Sequence, residues 1–404
     1  FGARQPDAFA GAYRAPVIHA PAHDRSASMA PEELSVALSR YKASARCRSA
    51  GSPATPMLAP TSHRRKAPKT HLHAELVRKR RDPAPSPKVA VQEALAALGA
   101  GSDGGAAAVE ALLARAGEQP VPEEWQERYK RGSMAYWDHF YAEKTINFFK
   151  DRHYLREEFS ELMPEEVLSD PRRWVDHLDD EDLSAGPLRS SLDMSDLSAL
   201  LHGRTVVLEV GCAVGNGLLP LLRANRDLFG LACDLSPVAV KLLREKEEYR
   251  SGRCFAFPSD IARGVQDQPT SEHVALEQIV PPHSVDFATL LFVLSAIDPA
   301  HHRSVIARLR SCLKPGGMAL FRDYGRGDLA QLRFAPGHWL GGDLYVRGDG
   351  TLAAFFSLAH LRADFEAEGF EVVECQYKRR DIVNRGTGVV MPRVWVQGKF
   401  LRKT

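Results

Sequence analysis

From Thr205 onward the chain alternates between short apolar runs and amphipathic segments, and few folds accommodate such an alternation. The amphipathic segments include residues 237–247 and 301–313, which have the spacing of helices that bury one face. Strands that alternate with helices indicate an α/β fold, in which a parallel sheet is covered by helices on both faces. The strand-like runs are residues 206–210, 228–233, 253–257, 286–292 and 318–322.

The end of the chain departs from this alternation. A helical segment at residues 358–368 is followed by two strand-like runs, 371–377 and 393–401, with no helix between them. These runs predict a terminal antiparallel pair of strands.

Composition excludes several other classes of protein. No apolar run approaches the roughly 18 residues that span a membrane, so we expect no membrane segment. The six cysteines are scattered without a Cys-x-x-Cys pair, so we expect neither a disulfide framework nor a zinc site.

The N-terminal segment differs in composition from the rest of the chain. Residues 1–87 hold 11 of the 26 prolines, and such a segment buries too little apolar surface to fold. Residues 1–100 carry 16 Lys and Arg residues against 7 Asp and Glu residues, which favours a solvated basic arm or one that approaches nucleic acid. The arm also resembles an organelle transit peptide, and its basic runs resemble nuclear-localisation signals. We expect a cytoplasmic protein, with an organelle or the nucleus as the alternatives.

Four regions follow from these changes. Residues 1–87 form a disordered basic arm, 88–119 an Ala-rich helical linker broken at 99–105, 120–200 an aromatic helical cap, and 201–404 the α/β domain.

Two features of the cap stand out. Pro122 followed by Glu123 and Glu124 is a typical helix start. Trp137 and Tyr141 are four residues apart, so they share one helix face. Their spacing alone favours a simple buried face.

A glycine-rich turn follows the first predicted strand. The segment Glu209-x-Gly211-x-Ala213-x-Gly215 lets a ligand approach the backbone, and the following helix offers its free N–H groups. A dinucleotide fingerprint would need glycines at positions 211, 213 and 216, and this chain has Ala213 and Asn216. The pattern instead resembles the S-adenosylmethionine loop of class I methyltransferases, with Ala213 replacing the usual central glycine.

Carboxylates follow the next two predicted strands. Asp234 ends the second strand, where a carboxylate can accept both hydroxyls of a ribose, although it also stands just before a helix start. Asp260 and Ile261 follow the third strand, where an adenine would lie. Ligands of open α/β sheets bind at the carboxyl ends of the strands, so these residues predict one nucleotide-like site.

Longer motifs resemble one family, the tRNA N3-methylcytidine methyltransferases, in the same order along the chain. The resemblance covers roughly residues 120–403, and the Phe-Phe-Lys-Asp-Arg-His and Phe-Arg-Asp-Tyr-Gly motifs are its most selective parts. The matching segments are residues 136–141, 147–153, 232–237, 292–296, 313–317, 321–325, 345–351 and 392–401.

The resemblance implies a class I methyltransferase fold, a Rossmann-like seven-stranded sheet with an N-terminal helical cap, and S-adenosylmethionine as cofactor. Aromatic faces attract a sulfonium cation, which gives the aromatic pair of the cap a role beyond burial. The residues that the resemblance assigns to the cofactor are Trp137, Tyr141, Gly211, Asp234, Asp260, Ile261 and Leu291.

The implied reaction is methyl transfer to N3 of a cytidine in the tRNA anticodon loop. The N3 lone pair needs no strong base, so catalysis relies on positioning, and the base must be unpaired or extruded. Asp323 is the candidate carboxylate for stabilising charge on the product base, with Tyr324 as a stacking or hydrogen-bonding neighbour. Alternatively, Asp323 pairs with Arg322 or Arg326 and only shapes the loop.

Basic residues in the family motifs are the candidates for RNA contact, and contacts to phosphates would make affinity depend on salt. The family also makes tRNA the expected partner, with a tRNA synthetase or another tRNA-selecting protein as a further one. The candidate residues are Lys150, Arg152, His153, Arg347, Arg379, Arg380 and Arg393.

Two other functions fit the same fold. One is a small-molecule or protein methyltransferase, against which the aromatic and basic segment 148–153 argues. The other is a non-catalytic RNA-binding subunit, against which the intact Asp234, Asp260 and Asp323 argue.

Overall fold

The computed structural model describes residues 103–144, 150–169, 188, 192–383 and 390–404, all of which belong to one unit of the chain. The predicted arm, residues 1–87, lies outside the described residues, as do Phe148 and Phe149. Among the described residues, no helix is long and apolar enough to cross a membrane.

A seven-stranded sheet is the frame of the fold. Its strands are β1 (Thr205–Val210), β2 (Leu228–Asp234), β3 (Cys254–Pro258), β4 (Val285–Leu291), β5 (Leu313–Tyr324), β9 (Phe370–Val383) and β10 (Val390–Arg402). They lie in the order β3-β2-β1-β4-β5-β10-β9. Strands β1 to β5 are parallel, and β10 pairs antiparallel with both β5 and β9, so the predicted parallel sheet and terminal antiparallel pair are confirmed.

Helices cover both faces of this sheet. Side chains alternate along each strand, so Leu208 and Leu290 pack in one apolar cluster while Val207 and Leu320 pack in another on the opposite face. The helices before β1 are α1 (Asp103–Gly117), α2 (Glu123–Arg131), α3 (Ser133–Lys144), α4 (Leu155–Glu158), α5 (Glu165–Ser169) and α6 (Met194–Leu201). The later helices are α7 (Leu218–Ala224), α8 (Pro237–Arg244), α9 (Glu247–Arg250), α10 (Leu276–Ile279), α11 (His302–Cys312), α12 (Leu329–Leu332) and α13 (Leu358–Ala367).

A second, three-stranded sheet was not predicted. Its strands β6 (Trp339–Gly341), β7 (Leu344–Val346) and β8 (Leu352–Ala354) have three residues each. Runs of this length are too short to show a period of two, so the sequence pattern carries no signal for them.

Helix α1 is packed onto the domain rather than set apart from it. Val109 and Leu113 form a buried cluster with Leu329 and Leu332 of α12. The helix begins at Asp103, inside the predicted break at residues 99–105. The second half of the predicted linker therefore contributes to the core.

Candidate active site

A cavity of about 800 Å³ opens at the carboxyl ends of the central strands. This end of the sheet has two parts. The donor edge comprises Gly211, Asp234 and Asp260, which follow or end β1 to β3, and the base edge comprises Phe292 after β4 and Tyr324 at the end of β5. Six of the seven residues predicted to hold the cofactor line the cavity: Trp137, Tyr141, Gly211, Asp234, Asp260 and Ile261.

The glycine-rich turn is held in place by two buried carboxylates. Glu209 Oε2 accepts a hydrogen bond from the Leu218 amide at 2.8 Å, and Asp234 Oδ2 accepts one from the Ala213 amide at 2.8 Å. Gly211 has φ of 63°, and a Cβ at this position would lie 2.4 Å from Cγ2 of Val293. Ala213 also adopts a left-handed conformation, with φ of 52°, where the family pattern has glycine.

Asp234 has the environment expected of a ribose acceptor. Its side chain is buried, and Oδ1 accepts a second backbone hydrogen bond, from the Ser236 amide at 2.9 Å. Burial raises the pKa of Asp234 to about 6, against the opposing effect of these two amides. A carboxylate has about four lone-pair sites, so acceptor capacity remains for hydroxyls in the cavity.

The third strand adds a hydroxyl that was not proposed as a site residue. Ser259 lines the cavity beside Asp260 and is 2% exposed, and its Oγ has no hydrogen-bond partner among the described residues. A buried polar atom without a partner costs free energy unless a ligand satisfies it. Its position after β3 therefore fits a polar edge of a bound nucleoside.

The aromatic pair predicted from the cap closes over this edge. The rings of Trp137 and Tyr141 are stacked, with centroids 5.9 Å apart. On the same helix, the Asp138 carboxylate accepts a hydrogen bond from the hydroxyl of Ser236, which caps α8. This contact fixes α3 against the end of β2, so the two rings face the cavity.

Leu291 does not line the cavity, although the resemblance assigns it to the cofactor. Its side chain is buried in the apolar cluster that contains Leu155 and Leu218. Alternation along β4 turns Leu291 to that face, and the next residue, Phe292, lines the cavity instead.

The position of Asp323 fits its alternative role, which is to shape the loop, better than direct contact with a base. Its side chain is fully buried and does not line the cavity. Oδ2 accepts the Ser295 amide at 2.9 Å and Oδ1 accepts the Tyr324 amide at 2.8 Å, and burial raises its pKa to about 6. The carboxylate shapes the loop after β4, although its partners are these amides rather than Arg322 or Arg326.

The ring of Tyr324 contacts side chains from several of the motifs that resemble the family. Its ring is 5.1 Å from that of Phe292 and has the guanidinium groups of Arg347 and Arg393 at 5.6 and 5.7 Å. Both arginines are anchored: Arg347 donates to the Leu352 carbonyl at 2.6 Å, and Arg393 forms an ion pair with buried Asp328 at 3.0 Å. Their predicted contacts with phosphate are therefore in competition with these partners.

Arg152 was predicted to bind RNA, and the structure turns it toward the donor edge. Its guanidinium lies 3.7 Å from Glu209 Oε1, with a side chain only 15% exposed, and 5.8 Å from the Phe292 ring. Its amide donates to the Asn216 carbonyl in the glycine-rich turn. An ion pair between residues this far apart in the chain leaves no local pattern in the sequence, which is why it was missed.

The remaining RNA candidates are all exposed: Lys150, His153, Arg379 and Arg380.

Comparisons with known proteins show the family. A family model described as a methyltransferase domain matches residues 170–375. The tRNA N(3)-cytidine methyltransferase METTL2 of Xenopus tropicalis is 40% identical over 289 residues, which cover 70% of this chain and 82% of that protein. METTL2B of Homo sapiens, with the same enzyme name, is 36% identical over 335 residues, covering 74% of this chain and 86% of its own. METTL6 of Mus musculus, again so named, is 38% identical over 275 residues, covering 68% and 83%.

Proposed function

The chain belongs to the family of tRNA N(3)-cytidine methyltransferases, and we propose on this premise that it transfers a methyl group from S-adenosylmethionine to N3 of a cytidine in the anticodon loop of tRNA. The observation that carries the proposal is the donor edge. At and beside this edge, a carboxylate, a buried hydroxyl with no partner among the described residues and two stacked aromatic rings converge on one cavity.

These residues fit the cofactor. When bound, S-adenosylmethionine supplies a methyl group on a positively charged sulfur. Asp234 accepts from ribose hydroxyls, and Ser259 and Asp260 offer polar contacts to the adenine end. Trp137 and Tyr141 provide ring faces that attract a cation.

The protein contributes positioning more than acid–base chemistry. Cytosine N3 carries its own lone pair, so holding it in line with the methyl group supplies most of the rate gain. The base has to leave any stack or pair to reach the cavity, which is easiest in an anticodon loop. The product ring is cationic and can lose a proton from its exocyclic nitrogen.

Asp323 acts in this scheme as a positioning residue. By accepting the Ser295 and Tyr324 amides, it fixes the loop after β4 against the end of β5. The position of Tyr324 at the base edge depends on this link.

Binding of the tRNA backbone is assigned to exposed basic residues in the segment before α4 and on the hairpin of β9 and β10. Lys150, His153, Arg379 and Arg380 are exposed, so phosphates can reach their side chains. Arg152, Arg347 and Arg393 contribute by shaping the site. A tRNA-selecting protein such as a synthetase, and the cytoplasm as compartment, remain predictions from the family and the composition.

The test is methylation of tRNA by the purified chain with labelled S-adenosylmethionine, followed by nucleoside analysis. We expect label in N3-methylcytidine and in no other nucleoside. Label in a protein or a small molecule, with none in tRNA, would contradict the proposal. Addition of a synthetase to the same assay tests the partner, which should raise kcat/KM for its own tRNA.

A further inference from the structure

Phe292 has a backbone conformation that an aromatic residue rarely adopts. Its φ is 62°, in the left-handed region that favours glycine. The described residues include two other non-glycine residues with positive φ, Ala213 and His283, and of these three Phe292 alone lines the cavity. Its amide donates to the Arg322 carbonyl at 2.8 Å, which holds the strained residue against β5. Such strain persists where the surroundings impose it, and it concentrates at functional sites.

This residue lines the cavity. Leu291, the last residue of β4, packs into the core, and Phe292, the first residue after the strand, lines the cavity next to Val293. Val293 in turn contacts Gly211, so the ring stands beside the glycine-rich turn. Arg152 spans the same gap, between Glu209 and the Phe292 ring.

The ring also belongs to a group of half-buried aromatic side chains at the base edge. Its centroid is 5.1 Å from that of Tyr324 and 6.3 Å from that of Trp395 on β10, which it meets edge to face. All three side chains keep part of their surface exposed. If the Phe292 side chain only filled space, Leu would fill it as well. If only the left-handed backbone mattered, Gly would adopt it with less strain.

We propose that Phe292 is the platform on which the extruded target base stacks, so that its N3 edge faces the methyl donor at the donor edge. An unstacked base loses the contacts of its neighbours, and aromatic side chains replace them in proteins that bind single-stranded nucleic acid. Every base has a π-face, so this contact positions the cytosine and leaves its identification to other groups. The inference rests on the proposed function, because it needs a base as substrate.

Two substitutions separate stacking from packing. Phe292→Leu keeps an apolar side chain, and Phe292→Gly removes the ring while relieving the left-handed strain. Both should lower kcat/KM for tRNA by about 5- to 150-fold, the range of one base–aromatic stack. Affinity for S-adenosylhomocysteine should stay within about threefold in each case. Phe292→Tyr keeps the ring and should stay within about threefold of the wild type.

A matched control comes from another half-buried ring. Phe334 stacks on Tyr345 in the three-stranded sheet and does not line the cavity. Phe334→Leu should change the melting temperature by about as much as Phe292→Leu does, while leaving kcat/KM for tRNA within about threefold of the wild type.

A direct readout uses an anticodon stem-loop RNA with a fluorescent cytosine analogue at the target position. With S-adenosylhomocysteine present and RNA saturating, the wild type should quench the analogue, and Phe292→Leu should quench it less. Wild-type kcat/KM and quenching in a folded Phe292→Leu protein would overturn the inference and leave the proposed function intact. A wild-type protein that methylates no cytidine would overturn both.

Discussion

The donor edge and Phe292 of the base edge line one cavity, yet the two edges were predictable to different degrees. At the donor edge, the predicted Gly211, Asp234 and Asp260 all line the cavity. At the base edge, Asp323 is fully buried on two amides, and Phe292 was not singled out as a site residue. The difference teaches that a cofactor bound by backbone turns leaves short local motifs, whereas a site for an extruded base depends on contacts distant in the chain.

The largest expected effect is at the donor edge. Asp234→Ala removes the acceptor of the Ala213 and Ser236 amides and the predicted ribose contact together. The loss should cost about 2–3 kcal/mol, or roughly 30- to 150-fold in affinity for S-adenosylmethionine. Calorimetric titration measures it, with circular dichroism to confirm folding. Unchanged affinity in a folded protein would remove Asp234 from the site.

The pH dependence of stability tests the carboxylate beneath the same edge. Burial raises the pKa of Glu209 to about 7, with Arg152 opposing the rise. Between about pH 5 and pH 7 the folded chain keeps a proton that the unfolded chain has lost, so the free energy of unfolding falls as pH rises. Glu209→Gln removes this titration, which should flatten the fall by about 1–3 kcal/mol.

Urea unfolding of both proteins at several pH values between 5 and 8 gives this difference. Asp323, whose pKa burial raises to about 6, titrates in both proteins and cancels in the comparison. Parallel curves for the two proteins would show that Glu209 does not titrate in this window.

The sequence assigns Arg152 to RNA binding, whereas the structure places it beside Glu209 under the glycine-rich turn. Its substitution therefore tests which of the two assignments is correct. Arg152→Ala leaves Glu209 without its cation, and we expect a loss of about 1–2 kcal/mol of stability and a severalfold loss of donor affinity. If tRNA affinity falls while donor affinity stays constant, the original interpretation of Arg152 as an RNA contact is correct.

The smallest effects are expected from the exposed cations. Lys150→Ala and Arg379→Ala should each weaken tRNA binding a few-fold and reduce the slope of log K against log salt by about one unit. Donor affinity should not change. Filter binding at several salt concentrations measures the slope, and an unchanged slope would place that cation away from the phosphates.

Particular residues show where prediction from the sequence ends. The five parallel strands and the terminal hairpin follow from periodicity, because each strand carries its own signal. Leu291 was predicted to contact the cofactor, but the structure places it in an apolar cluster and not in the lining of the cavity, because successive side chains of a strand point to opposite faces. Phe292 was not identified as a site residue because its left-handed backbone conformation leaves no pattern in the sequence. Ser259 was not identified because only the folded structure shows which hydrogen-bond partners surround its hydroxyl.

The most direct measurement is hydrogen–deuterium exchange of the full chain, alone, with S-adenosylhomocysteine, and with S-adenosylhomocysteine and tRNA together. The cofactor product should protect the amides around Gly211 and Asp234 at the donor edge. Addition of tRNA should then protect the loop from Phe292 to Ala296 and the segment at Lys150, without further change at Asp234. Protection of the base edge by the cofactor product alone, with no added effect of tRNA, would contradict the division of the cavity into a donor edge and a base edge.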